Sequence, residues 1–113
     1  MLRIFSECIG DTAILQCEGA MGEFEAASIL RHAMMAQKNS STIVVDLSGL
    51  AMVTESGVGT LIHLQRWAQE QKIKIKFFNP TSSVRHLFHG EFASLREVMD
   101  ILQTSAPTSQ LAA

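Results

Sequence analysis

The sequence predicts an α/β domain, with a mixed sheet of about four to five strands that starts with a hairpin and packs against about three to four helices. Three observations predict it. Two strand-like stretches, 2–9 and 12–18, flank the turn pair Gly10-Asp11. A continuous run, Ile43-Val44-Val45-Asp46-Leu47, is short, rich in β-branched residues and bounded by turn signals, as a central strand covered on both faces requires. Segments of helical spacing then alternate with strand-like ones along the chain.

In the hairpin, Ala13, Leu15 and Cys17 alternate with Ile14, Gln16 and Glu18, the period of a half-buried strand. A two-residue turn at Gly10-Asp11 makes facing residues sum to 21, so Cys8 faces Ala13 and Cys17 faces Ile4. The two cysteines are therefore not opposite each other and no disulfide is expected. Two isolated cysteines also fall short of a zinc site, and both read as small buried hydrophobes in a reducing compartment.

A short loop, Gly19-Ala20-Met21-Gly22, leads to a helix over 23–37, where Phe24, Ala27, Leu30 and Met34 share one face. After the central strand comes a polar turn, Thr54-Glu55-Ser56-Gly57-Val58-Gly59, and a helix over 57–71 carrying Val58, Leu61, Ile62, Leu64 and Ala68. Residues 72–78 alternate isoleucine with lysine, which predicts a strand with a solvated lysine face at a protected sheet edge. Asn79-Pro80 turns the chain. Thr81 or Ser82 caps a third helix bearing Val84, Leu87 and Phe88. Residues 95–102 fit a strand or a helix equally by periodicity. Residues 1–103 thus form one domain, and 104–113, rich in small residues and containing a proline, form a flexible tail.

Bulk properties narrow the function. A chain of 113 residues with 47% apolar content buries a core without metal or disulfides. Nine basic and eleven acidic residues are scattered, which gives no concentrated patch for nucleic acid. No apolar run reaches the ~18 residues of a membrane span. The start, MLRIFSECIGD, lacks the parts of a signal peptide, so a cytoplasmic location is expected.

No catalytic constellation appears. His86 and His89 are three apart, but further donors for a metal are not indicated. Gly57-Val58-Gly59 lacks the third glycine of a dinucleotide fingerprint and the acidic residue downstream. Asp46 reads as a structural turn-former before Ser48-Gly49. No cofactor, metal site or enzymatic activity is expected.

The stretch VVDLSGLAMVTESGVGTLIHL resembles the central motif of STAS domains, and in particular of bacterial anti-sigma-factor antagonists, which read approximately D-L-S, a run with apolar positions, then D-S-(S/T)-G-(L/I)-G. The match runs ungapped from Asp46-Leu47-Ser48 to Gly57-Val58-Gly59, and the order of flanking elements extends it over about residues 2–102. The resemblance implies a non-enzymatic partner-switching module, a monomer or weak dimer. Its implied partners are an anti-sigma factor of the serine-kinase type and a PP2C-type phosphatase. The kinase would act on a serine at the start of the second helix.

The ungapped match puts Thr54 at the family aspartate, Glu55 at the usual phosphoserine and Ser56 at the following Ser/Thr. Gly22 replaces the acidic residue at the end of the family's first loop. Three readings follow: Ser56 is the phosphoacceptor, Glu55 is a built-in charge in a domain that is not phospho-regulated, or Ser56 is simply the N-cap of the second helix. We read Ser56 as both acceptor and cap. Thr54, Glu55, Ser56, Gly57, Val58, Gly59 and Gly22 form the expected partner surface. A constitutive STAS scaffold or transporter subunit is the alternative.

Overall fold

Gly10, with φ of 58°, closes the hairpin between β1 (Arg3–Ile9) and β2 (Thr12–Met21). The computed structural model describes residues 2–21, 24–87 and 92–105. The hairpin has the expected register, Cys8 opposite Ala13 and Cys17 opposite Ile4. Both thiols are free, but only Cys17 is buried. Cys8 lies exposed on the edge strand, where its Sγ donates to Gln37 Oε1 at 3.3 Å.

The chain continues through α1 (Phe24–Met35), β3 (Thr42–Val53), α2 (Glu55–Glu70), β4 (Lys74–Phe78), α3 (Ser82–Leu87), β5 (Phe92–Ala93) and α4 (Leu95–Ser105). The ambiguous segment 95–102 is thus helical, and a two-residue strand precedes it. Phe88, expected on the third helix, lies outside the described residues; of the expected tail over 104–113, Thr104 and Ser105 belong to α4 and the rest lies outside the described residues.

The sheet has the order β1-β2-β3-β4-β5, antiparallel in the hairpin and parallel thereafter. Each parallel neighbour is also the next strand in sequence. Crossovers of the usual right hand therefore stack their helices on one face. Leu30 and Met34 of α1, Leu61 and Leu64 of α2 and Val84 of α3 share one buried cluster with Leu15, Ile43, Val45 and Phe77. The opposite face is covered by α4, where Val98 and Leu102 pack with Val44, Ala93, Ile14 and Phe78. Ile43 and Val45 thus face one layer and Val44 the other, which is why the central run is apolar without alternation.

Two strands outrun their expected lengths. β2 includes Gly19-Ala20-Met21, the expected loop, and β3 runs on to Val53 past Ser48-Gly49, the turn residues expected after Asp46. Bulges allow it. The register steps from Gln16 opposite Asp46 to Glu18 opposite Gly49, inserting one residue into β3. Asp46 is the turn-former there, its Oδ1 accepting the Ser48 N–H at 2.9 Å. At Gly49 a Cβ would lie 2.6 Å from the Cys17 carbonyl oxygen, so the bulge demands glycine.

The lysine strand is not a sheet edge at its C-terminal end. β5 pairs with Phe77 and Phe78, and the half-buried Lys76 reaches Glu97 of α4 at 3.7 Å, while Lys74 stays exposed. The lysine face is therefore partly roofed by a helix.

Candidate functional site

The polar turn sits where β3 meets α2, on the backbone of the strand beside it. Thr54 N–H donates to the Met21 carbonyl at 3.0 Å, tying the turn to the end of β2. Thr54 is the N-cap of α2. Its backbone is extended, with φ −90° and ψ 175°, and its Oγ1 accepts the Gly57 N–H at 3.3 Å. The helix thus starts at Glu55, and the expectation that Ser56 caps it is corrected. Thr54 is the last extended residue, and a side chain there reaches the third helical N–H, which one from inside the first turn cannot do.

Ser56 instead occupies the second helical position. Its hydroxyl lies 3.0 Å from Thr54 Oγ1, and its carbonyl accepts the Thr60 hydroxyl at 3.1 Å. Thr54, Glu55, Ser56 and Gly59 are exposed. Gly57 and Val58 turn inward, so the outward surface of the motif narrows to the other four. Gly22 lies outside the described residues.

The two glycines differ in purpose. A Cβ at Gly57 would sit 2.3 Å from the Met21 carbonyl oxygen and 3.0 Å from Val53 Cγ1, whereas one at Gly59 would meet nothing within 4 Å. Gly57 therefore serves close packing within the chain and not the approach of a partner. Gly59 leaves an open surface.

Composition gave no hint of one further feature. Ser56 and Gly59 line a groove of about 300 Å³ between α1 and α2, together with Ser28, Arg31, Thr60, His63 and Leu64. The spacing signal was present, since residues 56, 59, 60 and 63 share one helix face, but only the tertiary packing brings α1 alongside.

Behind the turn, the core is apolar. Burial, with the Asp46 carboxylate adding to it, pushes the Cys17 thiol up to about 12. It is a neutral packing group. Among the described residues, no group of three or more His, Cys, Asp or Glu is placed to hold a metal. Nor is any helix among them long and apolar enough to cross a membrane. His89 lies outside the described residues.

A family model described as STAS domain matches residues 4–106. The chain belongs to the STAS family. Comparison with curated protein sequences returns no match. Among solved structures, the anti-sigma factor antagonist SpoIIAA in its unphosphorylated form superposes with a TM-score of 0.72 at 18% identity, covering 93% of this chain and 100% of that one. The Bacillus cell fate determinant SpoIIAA in its phosphorylated form gives 0.68 at 20% identity, covering 88% and 99%. Murine Slc26a9, an anion transporter, gives 0.68 at 18% identity, with 87% of this chain matching 18% of that one. At such identities the likeness shows a shared fold, found both in free-standing antagonists and inside a transporter.

Proposed function

We propose that this STAS domain is a non-enzymatic partner-switching regulator in the cytoplasm. In this reading it binds an anti-sigma factor of the serine-kinase type through the surface around Thr54, Glu55, Ser56 and Gly59. Phosphorylation of Ser56 releases that partner, and a PP2C-type phosphatase restores binding.

The observation that carries the reading is the position of Ser56. Its side chain stands exposed in the first turn of α2, while Thr54 is the N-cap of the helix. A phosphate there would bring about −1.5 to −2 charge. The dipole of a helix start favours such charge, so the fold survives modification. The partner meets a dianion where it had met a neutral hydroxyl. The switch is local electrostatics at an interface, with the backbone unchanged.

Incubation with an anti-sigma kinase and ATP, followed by mass spectrometry of the peptide spanning 54–56, tests the acceptor. Phosphate on Ser56 is the expected result; its absence from all three residues removes the switch. In calorimetry, Ser56→Ala should bind the kinase as wild type does, and Ser56→Asp at least about tenfold more weakly, a difference of 1.4 kcal/mol.

A second reading is favoured by Glu55, an exposed carboxylate one residue before Ser56 in the first turn. It makes the domain a constitutive subunit of a larger assembly, bearing a permanent charge where the family phosphoserine stands. A carboxylate supplies one charge and two oxygens, less than phosphate. Glu55→Ser would then create a phosphorylatable site in a protein that otherwise takes none.

A further inference from the structure

We infer that the groove between α1 and α2 receives an acidic side chain of the protein partner, with Arg31 as its counter-charge. The inference rests on the reading of the Ser56 surface as a docking site and names the chemistry of what docks.

Size comes first. About 300 Å³ is at the lower end of ligand pockets and suits one or two side chains better than a cofactor. Charge comes second. Arg31 and His63 line the groove with the hydroxyls of Ser28, Ser56 and Thr60, and among the described residues no carboxylate lines it. Among the described residues Arg31 has no ion-pair partner, the two ion pairs being Arg3–Glu18 and Lys76–Glu97. A guanidinium presents a planar fork of donors matched to a carboxylate. The chain as a whole carries a net charge of −2, so this cationic lining is a local exception and not part of a general basic surface.

Shape comes third. Leu64, 1% exposed, gives the groove an apolar floor for the methylene stem of a glutamate or aspartate. Gly59 adds no side chain to its wall. Ser56 shares the groove with Arg31, so negative charge at position 56 competes with the incoming carboxylate for the same guanidinium. That ties the recognition of the partner to the residue proposed to switch it.

The test needs no kinase. The ¹⁵N-labelled protein is titrated with a capped pentapeptide carrying two adjacent glutamates, with its glutamine analogue, and with inorganic phosphate. Saturable amide shifts are expected at Arg31, Ser56, Gly59, Thr60 and His63 with the glutamate peptide. Binding of the glutamine analogue should be at least about tenfold weaker, the scale of one charged hydrogen bond. Arg31→Gln should abolish the glutamate response at an unchanged melting temperature, since the side chain is exposed. Arg31→Lys should retain part of it, and Ser56→Asp should weaken it.

Equal response to both peptides, an undiminished response in Arg31→Gln, or shifts elsewhere on the surface would overturn the inference. A response to phosphate with none to the glutamate peptide would do so as well. Failure here leaves phosphorylation of Ser56 untouched, and failure of phosphorylation leaves the groove's preference readable.

Discussion

A methyl group at Gly57 has no room, and one at Gly59 has nothing but room. The 2.3 Å approach of a Gly57 Cβ is to a backbone carbonyl, Met21 O, which also accepts the Thr54 N–H and has no rotamer by which to yield. Gly57→Ala should therefore destabilise by about 2–3 kcal/mol, the upper range for overpacking a tight site. Gly59→Ala, on an exposed face in the body of a helix, should stabilise by about 0.5–1 kcal/mol, because alanine loses less backbone entropy on folding. Urea denaturation of both variants checks the pair; a Gly57→Ala protein as stable as wild type would show that β2 can shift away from the helix. Cys17 offers a second test. Its folded value of about 12 lies above the ordinary thiol value of 9.0, so from pH 9 upward the unfolded chain loses a proton that the folded chain keeps. Stability contributed by the neutral thiol is thus complete below pH 9 and drains away as pH rises toward 12, by about 1.4 kcal/mol per pH unit. Relative to Cys17→Ala, wild type should hold a constant difference in unfolding free energy from pH 6 to 8 and lose ground between pH 9 and 10.5. Parallel curves across that range would mean that Cys17 does not feel its burial.

At the scale of the element, α2 is held at its start by Thr54 and not by Ser56, and the two variants should separate. Thr54→Ala removes the acceptor of the Gly57 N–H and should cost about 1 kcal/mol. Ser56→Ala leaves the bond between Thr54 Oγ1 and the Gly57 N–H in place and should cost less than half as much. Equal losses in thermal unfolding would return Ser56 to a capping role. The sequence was legible where a period or a turn rule acts locally. The hairpin register followed from Gly10-Asp11 alone, because a two-residue turn leaves one pairing. The central run declared itself because burial on both faces removes alternation. The ends of β2 and β3 were illegible, since Gly19 and Ser48-Gly49 are turn residues by composition and are held within the strands by long-range pairing, Glu18 with Gly49 and Gly19 with Leu50, with a bulge on either side. The cap misread has the same origin. Thr54 and Ser56 are both good caps, and what selects Thr54 is the bond of its N–H to Met21, a strand distant in sequence. Likewise α4 resolved itself only in three dimensions, as its Val98 and Leu102 face a sheet surface that no local pattern announces.

For the molecule as a whole, the two faces of the sheet are unequal, and its opening should be too. Among the described residues, the face under α1, α2 and α3 gathers 19 buried residues into one cluster, while the face under α4 gathers three, Val44, Ala93 and Val98. The outer side of α4 leaves Leu95 at 64% and Met99 at 47% exposed, so little more than one side of that helix is held. Local opening follows the least buried apolar contact, and stability varies across a structure in such units. Native-state hydrogen exchange should show the amides of α4 exchanging through an opening several kcal/mol below the global unfolding free energy, while those of Val44 and Val45 in β3 exchange only with it. Val98→Ala should sharpen the contrast, lowering protection in α4 and leaving the central strands nearly unchanged. The same substitution should not disturb the surface at Ser56, which belongs to the better-packed face and is tied to β2 through Thr54 and Met21. If α4 and β3 exchange with one free energy, the sheet and its single covering helix form one cooperative unit. A change at α4 would then propagate to the start of α2, and the candidate site would be coupled to the far face of the sheet instead of insulated from it.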